Sequence, residues 1–204
     1  WIWHAASEIA RHRDELTRLD AAIGDADHGI NMDRGLQALV ARIEADHLTE
    51  RGIAEVLRAA GMTLISTVGG AAGPLYGTGL LRAASCLSPK ESATPGDIAA
   101  AFRAGVEGIH QRGKAEPGDK TMLDALLPAC EVLEDAVSAH QPFHVAVASA
   151  SEAARRGMLS TIDMVARKGR ASYLGERSRG HQDPGATSAW LLLKAGSDYL
   201  CDIV

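Results

Sequence analysis

Asp20, Asp25 and Asp27 place three carboxylates within eight residues of the stretch DAAIGDADHGINM, residues 20–32. His28, Asn31 and two glycines are interleaved with them. Such a density of hard oxygen donors is costly in a fold unless a cation neutralises it. The stretch contains no cysteine, and oxygen-only ligation favours magnesium or manganese over zinc. In one continuous helix Asp20 and Asp27 would share a face and Asp25 would point about 140° away. Gly24 and Gly29 argue against continuity. The stretch therefore predicts a helix ending near Asp20, a tight loop through Asp25 and Asp27, and a new helix from about Ile30. That bend can turn all three carboxylates toward one point. Helix capping is the competing account: Asp25 or Asp27 capping the next helix explains one carboxylate and leaves two.

A second stretch with chemical potential is the glycine-rich joint from Ser66 to Gly77, STVGGAAGPLYG. Adjacent glycines let backbone amides approach an anion, and the following helix offers its positive N-terminal end. Ser66 and Thr67 add hydroxyl donors. The joint has no GKS or GKT and no preceding strand, so it is neither a Walker A loop nor a dinucleotide fingerprint. Small residues equally permit close helix packing, and composition alone leaves the two accounts level.

The elements that must position these stretches read as helices. Apolar residues recur at helical spacing in residues 2–20 (Ile2, Ala5, Ile9, Leu16, Leu19) and after the acidic loop (Leu36, Leu39, Val40, Ile43). A third helix carries Ile53, Leu57, Ala60 and Leu64 and ends near Thr67. A fourth runs from the joint to about Leu87, and a fifth carries Ile98, Phe102, Val106 and Ile109. SPKESATPGD, residues 88–97, reads as a surface linker, and GKAEPG, 113–118, as a turn. The strongest stripe, Met122, Leu123, Leu126, Leu127, Cys130, Leu133 and Val137, marks a sixth helix. Residues 142–167 give a seventh, 169–185 a long polar loop, and 186–202 an eighth. No convincing strand is present. Eight helices with mostly short connections imply an antiparallel array.

The totals exclude several classes. Of 204 residues, 46% are hydrophobic, enough for a sizeable core in one domain or a tight pair. The formal charge of −5, with no polybasic run, gives no support for a nucleic-acid surface. No apolar run is long enough for a membrane span. The odd number of widely spaced cysteines, Cys86, Cys130 and Cys201, fits neither a zinc nor a redox motif. They read as reduced core thiols of a cytoplasmic protein.

The stretches LDAAIGDADHGINM, STVGGAAGPLYGTG, GDKTMLDAL and GRASYLGERSRGHQDPGA resemble the nucleotide-binding DhaL subunits of the dihydroxyacetone kinase family, along nearly the whole chain. The resemblance implies an all-α fold, a closed antiparallel barrel of eight amphipathic helices with the nucleotide at one rim, and a single DhaL-like domain over residues 1–204. It implies that Asp20, Asp25 and Asp27 hold two magnesium ions against the phosphates of ADP or ATP. It places nucleotide contacts on His28, Gly29, Ile30, Asn31, Gly69, Gly70, Gly113, Met122, Arg170, Asp183, Pro184 and Gly185. One departure is visible: the family often has glycine where this chain has Ala26, and alanine disfavours positive φ while leaving the ligands intact.

Several of these residues have an ordinary reading as well. Met122 opens the strongest core stripe, though a flexible thioether also suits an adenine slot. Arg170 lies in a polar loop where a solvated arginine is unremarkable. Asp183-Pro184-Gly185 reads first as a turn and helix start. His28 is expected to be a hydrogen-bonding partner of the nucleotide or of a ligand carboxylate, rather than a covalent intermediate.

The resemblance further implies a phosphotransferase acting with partners. In the phosphotransferase-dependent type, bound ADP is phosphorylated by a phosphohistidine of DhaM and passes the group to dihydroxyacetone. That ketose is held covalently by a DhaK subunit; no carbonyl-binding module is evident in this chain. In the ATP-dependent type the same domain is fused to a DhaK-like one and acts on dihydroxyacetone or erythrulose. A length of 204 residues favours the free subunit. Contact with a transcriptional regulator is a further role found in the family. The readings from other classes are an ADP-bound sensor or interaction subunit contacting such a regulator and a metal-dependent phosphohydrolase; the DDxxD of isoprenoid synthases is absent.

Overall fold

The computed structural model describes residues 1–90 and 92–204; Glu91, in the expected linker 88–97, lies outside the described residues. Among the described residues there are nine α-helices: α1 Ile2–Arg11, α2 Arg13–Ile23, α3 His28–Ala45, α4 Ile53–Thr67, α5 Ala72–Leu87, α6 Pro95–Gly113, α7 Leu123–Ser138, α8 Phe143–Ser160 and α9 Pro184–Asp202. Short 3₁₀ segments, Leu48–Glu50, Thr161–Asp163 and Arg170–Ser178, lie in the connections. From α2 onward each helix packs against the next, and α9 returns onto α1 and α2, which closes the ring. The interior is filled by Ile9, Leu16, Met32, Leu39, Ile43, Val106, Leu123 and Leu191. Alanines 125, 129, 146, 154, 186 and 189 are buried with them on α7, α8 and α9, where small side chains let helices approach closely. No helix of the described residues is long and apolar enough to cross a membrane.

The helix boundaries differ from the sequence expectation in ways with local causes. The first expected helix is two, because the chain bends at His12, whose ψ is 9°. There the Glu8 carbonyl is approached by both the backbone N–H of His12 at 3.1 Å and its ring Nδ1 at 2.9 Å, a side-chain intrusion into the helix ladder. The seventh expected helix, 142–167, is α8, and it stops at Ser160. Ser160 and Thr161 hydroxyls donate to the carbonyls of Gly157 and Met158, each at 2.6 Å, offering the backbone an alternative to further helix. The cysteines are a correction: only Cys130 is buried, and Cys86 and Cys201 are exposed.

Two helix starts carry side-chain caps, and one of them, α6 at Pro95, falls inside the linker expected over 88–97. Thr94 and Asp97 make a reciprocal capping box before α6, with Pro95 in its first turn. Asp183 caps α9 by accepting from the Ala186 N–H at 2.7 Å, with Pro184 following it.

Candidate functional site

Helix α2 runs three residues past Asp20 to Ile23, and α3 begins at His28, two residues earlier than the expected Ile30. Both shifts trace to Asp20. Its carbonyl takes the Gly24 N–H at 2.5 Å, closing α2. Its carboxylate Oδ2 takes the N–H groups of Asp27 at 2.9 Å and His28 at 3.1 Å, opening α3. Gly24 permits this turn by close approach, since a Cβ there would fall 2.0 Å from Asp20 Oδ1. Neither Asp25 nor Asp27 acts as the side-chain cap of α3. The capping account is thereby removed for both, and their carboxylates are left to face each other.

One oxygen from each of Asp20, Asp25 and Asp27 lies within 4.8 Å of the others. Asp20 is buried, while Asp25 and Asp27 are open to solvent. In an octahedral shell with magnesium–oxygen distances near 2.1 Å, neighbouring oxygens are about 3 Å apart and opposite ones about 4.2 Å. The cluster needs only a small contraction to hold one divalent ion. Its donors are hard oxygens without nitrogen or sulfur, which fits magnesium or manganese. Arg170 Nη1 lies 3.0 Å from Asp25 Oδ2 and supplies a positive charge on the rim.

The cluster forms one wall of an open cleft of about 190 Å³. Gly69 and Gly70 of the α4–α5 connection, with Ala72 at the start of α5, form another wall. Gly70 sits at φ 64°, a conformation glycine adopts without strain, and nothing lies within 4 Å of where its Cβ would be. The first-turn amides of α5 lack intrahelical partners and carry the positive end of the helix dipole. The joint serves packing too: a Cβ on Gly73 would fall 2.3 Å from the Val68 carbonyl oxygen.

Of the residues singled out from the sequence, Asp20, Asp25, Asp27, His28, Asn31, Gly69, Gly70, Met122, Arg170, Asp183, Pro184 and Gly185 all line this cleft. Gly113 lines an adjoining hollow, which shares Leu75, Thr121 and Met122 with it. Gly29 and Ile30 are not brought to either. His28 and Asn31 are three apart and share a helix face. Gly29 instead packs on α2, with a would-be Cβ 2.0 Å from the Arg13 carbonyl oxygen, and the Ile30 side chain is half exposed. Any contribution from these two comes through first-turn backbone amides.

His28 belongs to a polar chain joining three helices. Its Nε2 is 2.9 Å from Ser188 Oγ, which is 2.7 Å from the Tyr76 hydroxyl. The Ser188 and Tyr76 hydroxyls also lie 3.0 and 3.3 Å from the Gly185 carbonyl, which accepts from one of them while the proton of the other makes the Ser188–Tyr76 bond. Burial lowers the His28 pKa, against the opposing pull of Asp20, Asp27 and Asp25. Burial pushes the Asp183 carboxyl up to about 7, although its bond from Ala186 N–H and the nearby Lys120 work the other way.

Lys120 is a cleft residue that the sequence did not single out. It is 1% exposed. Its Nζ donates to the Thr161 carbonyl at 2.6 Å, the Met164 carbonyl at 3.3 Å and the His181 carbonyl. One ammonium thus ties together the α6–α7, post-α8 and pre-α9 connections, which carry Met122, Arg170 and Asp183. Around it, Asp124 accepts from the N–H groups of Gly118 at 2.6 Å and Thr121 at 2.8 Å. Asp119 accepts from Glu116 N–H at 2.8 Å, and its carbonyl takes Arg167 N–H at 3.1 Å. Asp119 is therefore a loop former, and His181 contributes its backbone carbonyl. Thr121 and Lys168, also not anticipated, line the cleft.

Ala26 adopts φ 63° between two of the carboxylates. A left-handed conformation costs an L-residue about 1–2 kcal/mol, partly offset by the chain entropy that glycine loses on folding. Ala26→Gly is expected to stabilise the fold by about 0.5–1 kcal/mol. Urea unfolding of the metal-free protein checks this, and a lower midpoint in the variant contradicts it.

A family model described as the DAK2 domain matches residues 22–198. The chain is 46% identical over 194 residues to the PEP-dependent dihydroxyacetone kinase, ADP-binding subunit DhaL, of Escherichia coli, covering 95% of this chain and 91% of that protein. It is 40% identical over 185 residues to the corresponding subunit of kinase 2 of Listeria innocua, covering 91% and 85%. Among solved structures, the native form of the dihydroxyacetone kinase of C. freundii superposes with a TM-score of 0.76 at 22% identity, over 97% of this chain and 33% of that one. That last likeness supports the all-helical fold.

Proposed function

Since the chain belongs to the DAK2-domain family, we propose that it is the ADP-binding subunit of a PEP-dependent dihydroxyacetone kinase, acting as one nucleotide-binding unit over residues 1–204. The observation that carries this reading is the three-carboxylate cluster facing a glycine joint across a single cleft. Phosphoryl transfer needs charge neutralisation and positioning more than it needs a covalent protein group. When bound, ADP supplies the phosphate that receives a phosphoryl group from a phosphohistidine of a DhaM-like donor and yields it to dihydroxyacetone on a DhaK-like partner.

The residues of this chain divide that work. Asp20, Asp25 and Asp27 would hold magnesium, and a second ion would need further oxygen donors from the phosphates. Backbone amides at Gly69, Gly70 and the start of α5 offer fixed dipoles to the phosphates. Arg170, paired here with Asp25, would offer its guanidinium to phosphate if a cation neutralised the cluster. Met122 and Gly113, toward the adjoining hollow, give the base an apolar seat. His28, through Ser188, keeps α3 and α9 in register behind the metal loop. Asp183 to Gly185 close the far side.

The site draws on segments around residues 20–31, 69–72, 120–122, 168–171 and 183–185. Release of a ligand held from so many directions requires several contacts to break together, which slows dissociation. ADP is accordingly expected to stay bound as a cofactor. The protein is loaded with isotopically labelled ADP, stripped of free ligand and chased with excess unlabelled ATP. Retention for many minutes, with conversion of the label to ATP by phosphorylated DhaM, is the expected result. Exchange within seconds, with turnover from ATP and DhaK alone, would instead assign the chain to an ATP-dependent ketose kinase.

A further inference from the structure

We propose that Arg34 is a positioning residue that sets the Asn31 side chain as a hydrogen-bond donor toward the anion in the cleft, an inference that rests on the nucleotide-binding reading above. Asn31 is 7% exposed and lines the cleft on the first turn of α3. Arg34, three residues on, lies on the same face of the helix. Its Nη2 donates to Asn31 Oδ1 at 2.7 Å, and its Nε donates to the carbonyl of Thr67, the last residue of α4, at 3.0 Å. The second bond anchors the guanidinium, so the first has a fixed origin.

A guanidinium carries donors only. The atom it meets on Asn31 must therefore be the amide oxygen, and the orientation of the amide follows from that bond. The NH₂ group is left on the other edge, while Gly69 packs across the face of the amide, where a Cβ would fall 2.9 Å from Asn31 Nδ2 and 3.1 Å from both Cγ and Oδ1. Among the described residues Nδ2 has no protein acceptor, and it is not sealed away from solvent. A reversed amide would present its carbonyl oxygen and repel phosphate. Arg34 thus imposes the sign of the dipole at this point of the cleft without entering it, and its hold on Thr67 fixes the joint relative to the same amide.

A double-mutant cycle tests the coupling, with Mg-ADP affinity measured by calorimetry on wild type, Arg34→Met, Asn31→Ala and the double variant. Each single change is expected to weaken binding about tenfold, the scale of one hydrogen bond to a charged group. The double variant is expected to bind no more than about twofold worse than Asn31→Ala, because Arg34 has then lost the group it orients. Losses that multiply would overturn the proposal and assign Arg34 a contact of its own, and so would an Arg34→Met protein that binds like wild type. Asn31→Asp gives an arm independent of Arg34→Met. It keeps the bond from Arg34 and the fold but replaces the donor by an acceptor, so affinity must fall at least about tenfold; unchanged affinity would refute the donor assignment. Failure of wild type itself to bind Mg-ADP would count against the nucleotide reading, a result separate from any outcome of the cycle.

Discussion

Asp27→Ala is expected to lose phosphoryl transfer by about three orders of magnitude or more while leaving the metal-free protein at least as stable as wild type. The two halves of this expectation come from the same geometry. With a cation present, Asp27 is one of three oxygen donors that lie within 4.8 Å of one another, and removing it leaves phosphate charge poorly neutralised. Without a cation, the three carboxylates repel, and deleting one relieves that repulsion. Asp27 is the informative choice because its side chain holds no helix end, whereas Asp20 accepts two backbone amides and Asp25 pairs with Arg170. Calorimetric titration with Mg-ADP and thermal melts with and without magnesium give the readouts. Wild-type affinity in the variant would remove Asp27 from the metal site. A large drop in the metal-free melting temperature would mean that its role is structural.

Lys120→Met is expected to destabilise the protein by about 3–4 kcal/mol, the largest loss from any single polar side chain in the site. Methionine has nearly the same length but no donors, so the Thr161, Met164 and His181 carbonyls lose their common partner. Each buried acceptor left alone costs about 1–3 kcal/mol. Relief from burying an ammonium offsets only part of this, because the charge is satisfied on three sides. The expected drop in melting temperature is about 10 °C for a chain of this size. Lys168→Met is the control, since Lys168 is exposed and such changes stay within about 0.5 kcal/mol. Equal melting temperatures for the two variants would dispose of the three-carbonyl account.

What could be read from the sequence divides by distance along the chain. The acidic loop was legible because its chemistry is contiguous: three carboxylates and two glycines in one short run define both a cation site and the bend that builds it. The helices were legible from period alone, except where side chains intervene, as at His12 and at Ser160 and Thr161. The glycine joint was legible as a joint but not as to purpose, and the structure shows why. Gly73 is needed for helix packing, while Gly69 and Gly70 face the cleft. Lys120 was not legible, because its acceptors lie 41, 44 and 61 residues away, and nothing local separates a buried lysine from a solvated one. The orientation of Gly29 and Ile30 was likewise hidden until α3 was seen to begin at His28, which puts His28 and Asn31 on the cleft face.

The closure of the ring by α9 also orders events during biosynthesis. Pairing of successive helices involves short loops and is available as soon as each neighbour leaves the ribosome. The seam between α9 and the first helices joins segments more than 150 residues apart, as in the His28–Ser188 bond, and must wait until α9 has emerged. Asp183, Gly185 and Ser188 all arrive with that last helix. A nascent chain stopped before Asp183 carries the carboxylates of the acidic loop but lacks Asp183, Gly185 and Ser188. The cleft is therefore complete only after α9 has been made and has docked on α1 and α2.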